Sequence, residues 1–217
     1  MRLPIQHPRP DGEEFIRILM GNGVASRVPL VEYIVDDVVM RPIVTDLLRR
    51  EWVPWGEDRS RRRRYLDTLI RFWYAMGYDF LRYEQSLPFT ERTDVIPDAA
   101  PGSDKERAWP DEHRGAIMTR ADFEAYRWPS VEEFDFSDFE YLNANLPEGV
   151  GLILSHGGGV FEHLSWIMSL EGLANALFED PDLVREVANR LGELMVRFYK
   201  QILDFDRLIA DVRATMG

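Results

Sequence analysis

The chain has 217 residues, 45% of them hydrophobic and 29% charged, which describes a globular protein with a sizeable core and not a disordered one. Its formal net charge of −12 counts against nucleic acid and against anionic membrane surfaces as partners. It has no cysteine, which excludes disulfides, thiolate nucleophiles and cysteine-bound zinc. No apolar run reaches the roughly 20 residues of a transmembrane helix, and the N-terminal MRLPIQHPRP lacks a signal-peptide core, so a cytoplasmic location is expected.

Asp11 is placed to cap a helix over Gly12–Met20, with Phe15, Ile16, Leu19 and Met20 on one face and Gly21 and Gly23 at its end. The apolar run Val28–Ile34 reads as a first strand, ending near Glu32, Tyr33 and Asp36. Asp36 or Asp37 then opens a helix to about Arg50, and Trp52–Trp55 is a loop. Ser60 starts a long helix to Met76, in which Tyr65, Leu66, Leu69, Ile70, Phe72 and Trp73 recur at helical spacing. Arg61–Arg64 read as the solvated face of that helix. Gly77 closes it, and Tyr78–Tyr83 is the second strand.

Residues 88–114 are polar and carry Pro97, Pro101, Gly102 and Pro110, which predicts a long excursion with β-hairpin character inside a single domain spanning 1–217. Asp122–Tyr126 starts a short helix that Trp128-Pro129 breaks, and Phe134–Leu146 is a short acidic helix. The third strand, Val150–Leu154, empties through Gly157, Gly158 and Gly159 into an amphipathic helix over Phe161–Phe178 with a break near Gly172. Pro181 behind Asp180 opens a helix to about Leu203. Arg207–Val212 reads as a fourth strand.

Strands separated by helices in this order predict an α/β fold with a parallel sheet, of the (β/α)8 TIM-barrel type. A closed barrel needs eight strands and typically about 250 residues. The pattern supplies four to five strands, so the expected architecture is the first half of a barrel. Half a barrel exposes strand edges and an apolar sheet face, which predicts a homodimer or a missing C-terminal half as partner.

The run RVPLVEYIVDDVVMRPIV, the pair GYDF, and the blocks RAWPDEHRGAIMTRADFEAYRWP and GGGVFEHLSWIMSLEGLANALFEDPDLVREV follow one another in this chain. In that order they resemble the uroporphyrinogen decarboxylase-like superfamily over most of residues 10–205. The resemblance implies a (β/α) barrel longer than this chain. It also implies one of two activities: decarboxylation of a tetrapyrrole, a lyase step of porphyrin biosynthesis, or methyl transfer, often to or from a corrinoid protein or a thiol. Decarboxylases of the family carry an arginine-rich RQAGR signature after the first strand, where this chain reads EYIVDDVVMR. A substrate with many carboxylates would meet Glu32, Asp36 and Asp37 there. The zinc-dependent methyltransferases use one His and two Cys toward the C-terminal half, and this chain has no cysteine. A methyltransferase-type member, truncated or frameshifted near LDFDRLIADVRATMG, is therefore the expected reading, with the activity of the fragment itself in question. The decarboxylase and a non-catalytic dimerising remnant are its alternatives. No cofactor or metal is expected on this chain; a corrinoid partner or zinc belongs to a full-length relative. The substrate that the resemblance implies is a methylated compound or a tetrapyrrole.

Carboxyl ends of barrel strands face the active-site mouth, which selects Glu32 and Tyr33, then Arg82 and Glu84, then His156 with Gly157, Gly158 and Gly159. His156 is a candidate acid or orienting group, against the alternative of a histidine that caps a βα turn. Glu32 is a candidate acid or base, because Val31, Ile34 and Val35 predict apolar surroundings. Arg82 and Glu84 alternate with Leu81 and Tyr83, so Arg82 can clamp a substrate carboxylate or pair with Glu84. The family's catalytic aspartate falls near this strand end, but the spacing from Asp79 leads to Ser86, not to an acid. The glycines and Glu162, in the first turn of the next helix, are candidate substrate-binding groups, although the helix dipole alone favours a carboxylate at that position. HGGG imitates an esterase oxyanion hole, but no GxSxG elbow follows it. His163 reads as a satisfied surface or core-edge residue on its helix, His113 as support for the hairpin, and His7 as part of a frayed tail.

Overall fold

The computed structural model describes residues 5–97 and 106–203. In chain order they form α1 (Gly12–Leu19), α2 (Asp37–Pro42) running into a π-helical turn (Ile43–Leu47), α3 (Arg59–Ala75), β1 (Phe80–Gln85), β2 (Thr93–Pro97), β3 (Glu106–Pro110), α4 (Arg120–Ala125), α5 (Ser137–Asn145), β4 (Gly151–His156), α6 (Val160–Ile167), α7 (Leu170–Glu179) and α8 (Pro181–Leu203). The described residues gather into two compact units. One takes 5–84, 135–155 and 202–203, and the other takes 85–97, 106–134 and 156–201.

The first unit is organised around α3. Asp58 caps it by accepting the Arg61 N–H at 2.8 Å. Leu66, Leu69, Ile70 and Trp73 then fall at helical spacing on its buried face, packed with Met40, Val44, Leu81 and Leu142. Each such side chain contributes on the order of 1.5–3 kcal/mol by leaving water. Strands β1 and β4 are hydrogen-bonded neighbours in a two-stranded sheet. Gly151 N–H donates to Asp79 C=O and Gly157 N–H to Gln85 C=O, an equal spacing on both strands that marks a parallel pair.

One buried carboxylate ties this unit together. Asp79 accepts hydrogen bonds from the Asp11 N–H at 2.8 Å, the Leu30 N–H at 2.7 Å and both terminal nitrogens of Arg27, one of them at 2.9 Å. Its own N–H donates to the Leu30 C=O at 2.8 Å. Burial alone raises the Asp79 pKa, but these donors outweigh it and hold the pKa below the ordinary aspartate value. The same contacts explain why Val28–Ile34 is not a strand. The Leu30 N–H that a ladder would use is spent on the carboxylate, and Pro29 has no N–H at all. Val28 and Ile34 are accordingly exposed.

The second unit holds the described residues of the 88–114 excursion, where β2 and β3 pair antiparallel with Thr93 opposite Pro110 and Asp94 opposite Trp109. A Thr119–Asp122 capping box starts α4. Helix α8 buries Leu183, Val187, Leu191, Leu194 and Phe198 along one stripe. The first three of these join Leu164, Ile167, Met168 and Leu173 of α6 and α7 in a continuous core. The break expected near Gly172 lies at Ser169, whose φ of 59° turns the chain. Its hydroxyl then caps α7 by accepting the Gly172 N–H at 3.0 Å. Gly172 itself lies inside α7, and a Cβ there would stand 2.7 Å from the flexible Met118 sulfur. The fourth strand expected at Arg207–Val212 lies outside the described residues. Among the described residues the strands make two two-stranded sheets, and no helix is long and apolar enough to cross a membrane.

Asp79→Asn keeps the shape and removes the charge, and is expected to destabilise the protein by about 2–3 kcal/mol, the scale of hydrogen bonds to a charged group. Because the folded pKa is lowered, this stabilisation is complete above the unfolded value of about 4 and is lost as pH falls through the folded pKa. Urea melts of wild type and variant should therefore converge in acid. A separation that persists there would contradict this assignment.

Candidate functional site

Alternation along β1 sends Leu81 into the core, while Arg82 and Glu84 share the other face. Arg82 is almost fully committed. It pairs with Glu84 at 2.5 Å, donates to the Ser155 hydroxyl at 3.2 Å and to the Tyr33 C=O at 3.2 Å, and lies 3.4 Å over the Tyr33 ring. With its side chain only 10% exposed, it is the internal partner of Glu84. The structure thus brings Tyr33, Arg82 and Glu84 together and adds Ser155 from β4. Ser155 had one sequence signal, a polar residue in the last turn of an apolar run.

Glu32 does not acquire the expected apolar pocket. Its carboxylate accepts the neighbouring Tyr33 N–H at 2.8 Å, and Val31 and Ile34 are 39% and 63% exposed. The cause is the missing strand: without a ladder at 28–34 these side chains are not folded inward.

In the second unit His156 is buried, and its Nε2 accepts the Leu87 N–H at 3.0 Å. Its Nδ1 stands 3.4 Å from the Gly158 C=O, and its backbone N–H donates to the Tyr199 hydroxyl at 3.2 Å. A nitrogen that accepts a backbone N–H has no proton to give, so these contacts are those of a residue that caps a turn. The glycine turn is closed in the same way. The Gly157 N–H goes to Gln85 C=O, and the Gly159 N–H goes to the Glu162 carboxylate at 2.6 Å. Neither N–H is left to cradle an anion, and Glu162 serves as the helix cap. Gly158 has φ 77°, and a Cβ there would meet His163 Nε2 at 3.0 Å, so glycine is required on both counts.

Sequence reasoning passed over the pair His163 and Glu91. The buried His163 ring directs Nε2 at the Gly157 C=O, 2.8 Å away, and Nδ1 at Glu91 Oε1, 3.2 Å away. A carbonyl only accepts, so Nε2 carries a proton. The rings of Phe89, His156 and Trp166 surround His163 at centroid distances of 4.7, 5.1 and 4.8 Å. Glu91 lies in the polar excursion, where no periodicity could single it out. His113 pairs instead with Glu171 at 2.5 Å on the surface, which raises its pKa.

Among the described residues no group of three or more His, Asp or Glu is arranged to hold a metal ion. A His and cysteine zinc site does not fit a chain without cysteine. Comparison with protein-family models, with curated proteins and with solved structures found no match.

His156→Ala should leave the Leu87 N–H buried without its acceptor and cost about 1–3 kcal/mol. Hydrogen exchange at the Leu87 amide reads the loss directly. His156→Gln, whose side-chain oxygen reaches a similar position, should restore part of the protection. Unchanged exchange in His156→Ala would remove the capping role.

Proposed function

We propose that this chain contributes the N-terminal part of a (β/α) barrel of the uroporphyrinogen decarboxylase-like superfamily and works as a methyltransferase-type member in the cytoplasm. It would move a methyl group between a small methylated compound and a corrinoid or thiol partner. The order of elements and the parallel pairing of β1 with β4 support the barrel. The observation that carries the activity is the cluster at the end of β1, where Glu84 takes up the guanidinium of Arg82. That cluster has no spare cation for a substrate with many carboxylates, which favours methyl transfer over tetrapyrrole decarboxylation. A thiol acceptor must lose its proton as it takes the methyl group, and Glu84, with its side chain 31% exposed, is the carboxylate positioned to receive it. Tyr33 and Arg82 hold that carboxylate in place. Exposed apolar residues at Val28, Tyr33, Ile34 and Val38 support association, and a second copy of the chain is the proposed partner.

The test uses methylcobalamin with 2-mercaptoethanol, and uroporphyrinogen in parallel. Thiol-dependent loss of the methylcobalamin absorption band above the protein-free rate is expected, slowed about 100-fold in Glu84→Gln, the lower end for a lost general base. Carbon dioxide release from uroporphyrinogen in its place would select the decarboxylase. Turnover of neither would overturn the proposal that this chain transfers methyl groups.

A further inference from the structure

The first unit carries a concave site unrelated to the strand ends. It is a cleft of about 230 Å³ between the π-helical turn and α3. That is room for roughly seven waters at about 30 Å³ each, so any occupant is small. Its floor is apolar, made by Val44 and Val53, both buried, together with Leu48. One wall is a single face of α3, where Arg64, Asp67 and Arg71 recur at helical spacing. Arg50 and Glu51 form the rim.

The charges of this cleft are unevenly satisfied. Glu51 is paired with Arg64 at 3.0 Å, and Asp67 accepts the Tyr141 hydroxyl at 2.8 Å. Among the described residues the guanidinium groups of Arg50 and Arg71 make no hydrogen bond or ion pair. Three arginines against two acids leave the lining positive in a chain whose net charge is −12. The rim is also held in an unusual backbone. Leu48 N–H reaches back to Ile43 C=O, the wide closure of a π turn, and Arg50 N–H reaches back one residue further still, to Val44 C=O. Arg49 sits at φ 54°, a left-handed conformation that costs a non-glycine residue energy. This irregular backbone carries Arg50 into the lining of the cleft that Arg71 also lines.

We propose that this cleft binds a small organic anion, with a phosphate or carboxylate head on Arg50 and Arg71 and a short apolar body on Val44, Leu48 and Val53. Arginine suits such a head because its planar fork donates two parallel hydrogen bonds to one anion. The buried apolar floor distinguishes the site from a surface that attracts any counter-ion. The proposal stands whether or not the methyl-transfer reading holds.

Calorimetric titration of the full chain at low salt with phenyl phosphate, benzoate and inorganic phosphate tests it. Phenyl phosphate or benzoate should bind, at least about tenfold more tightly than inorganic phosphate, a difference of 1.4 kcal/mol. The stronger of the two identifies the head group. Arg50→Gln with Arg71→Gln should weaken binding about tenfold or more, with an unchanged melting temperature. Glu51→Gln removes an acid and frees Arg64, so it should tighten binding a few-fold. No binding of either organic anion, equal affinity for inorganic phosphate, or full affinity in the double variant would overturn the proposal.

Discussion

The first unit depends on a carboxylate that is buried and never alone. Asp79 accepts four hydrogen bonds, two from backbone N–H groups and two from one guanidinium. These donors differ in what they would lose without it. Arg27 is 40% exposed and can turn to water, whereas the N–H groups of Asp11 and Leu30 are held at the carboxylate by the chain itself. The anchor therefore specifies where the N-terminal segments run more than it adds raw stability. By fixing the start of β1 it also decides which residues emerge at the far end, Arg82 and Glu84 among them.

The second unit follows a different logic. Its glycine turn looks open in composition and is closed in structure, because a neighbouring group takes each N–H of Gly157 and Gly159 and the side chain of His156. Beside that turn the buried His163 ring lies between the Gly157 C=O and the Glu91 carboxylate, with the rings of Phe89 and Trp166 packed around it.

The helices were legible because their causes are local. Caps at Asp11, Asp58 and Thr119 and apolar spacing in α3 and α8 all act within a few turns of chain. The excursion at 88–114 was legible as a hairpin from its prolines and polarity. The run at 28–34 misled, because what decides its fate is a side chain 49 residues further on. Alternation exposed the Arg82 and Glu84 pair. Nothing local could join Ser155 to Arg82 or Glu91 to His163, since each pairing is made by the fold and not by the spacing. Ser169 hid its helix break for a related reason: a serine with positive φ looks like any other serine until its hydroxyl finds the Gly172 N–H.

Neither unit is a continuous stretch of chain, for the backbone leaves the first at residue 84, returns at 135, departs again at 155 and comes back at 202. Contact order is therefore high within each unit, and loops must close before long-range contacts repay their entropy. During synthesis, β1 emerges well before β4, its only partner among the described strands. The nascent chain must carry an unpaired strand edge past some 65 further residues, which take several seconds at about 5–20 residues per second. Over that interval the ribosome-bound protein is a natural client for chaperones that shield such edges.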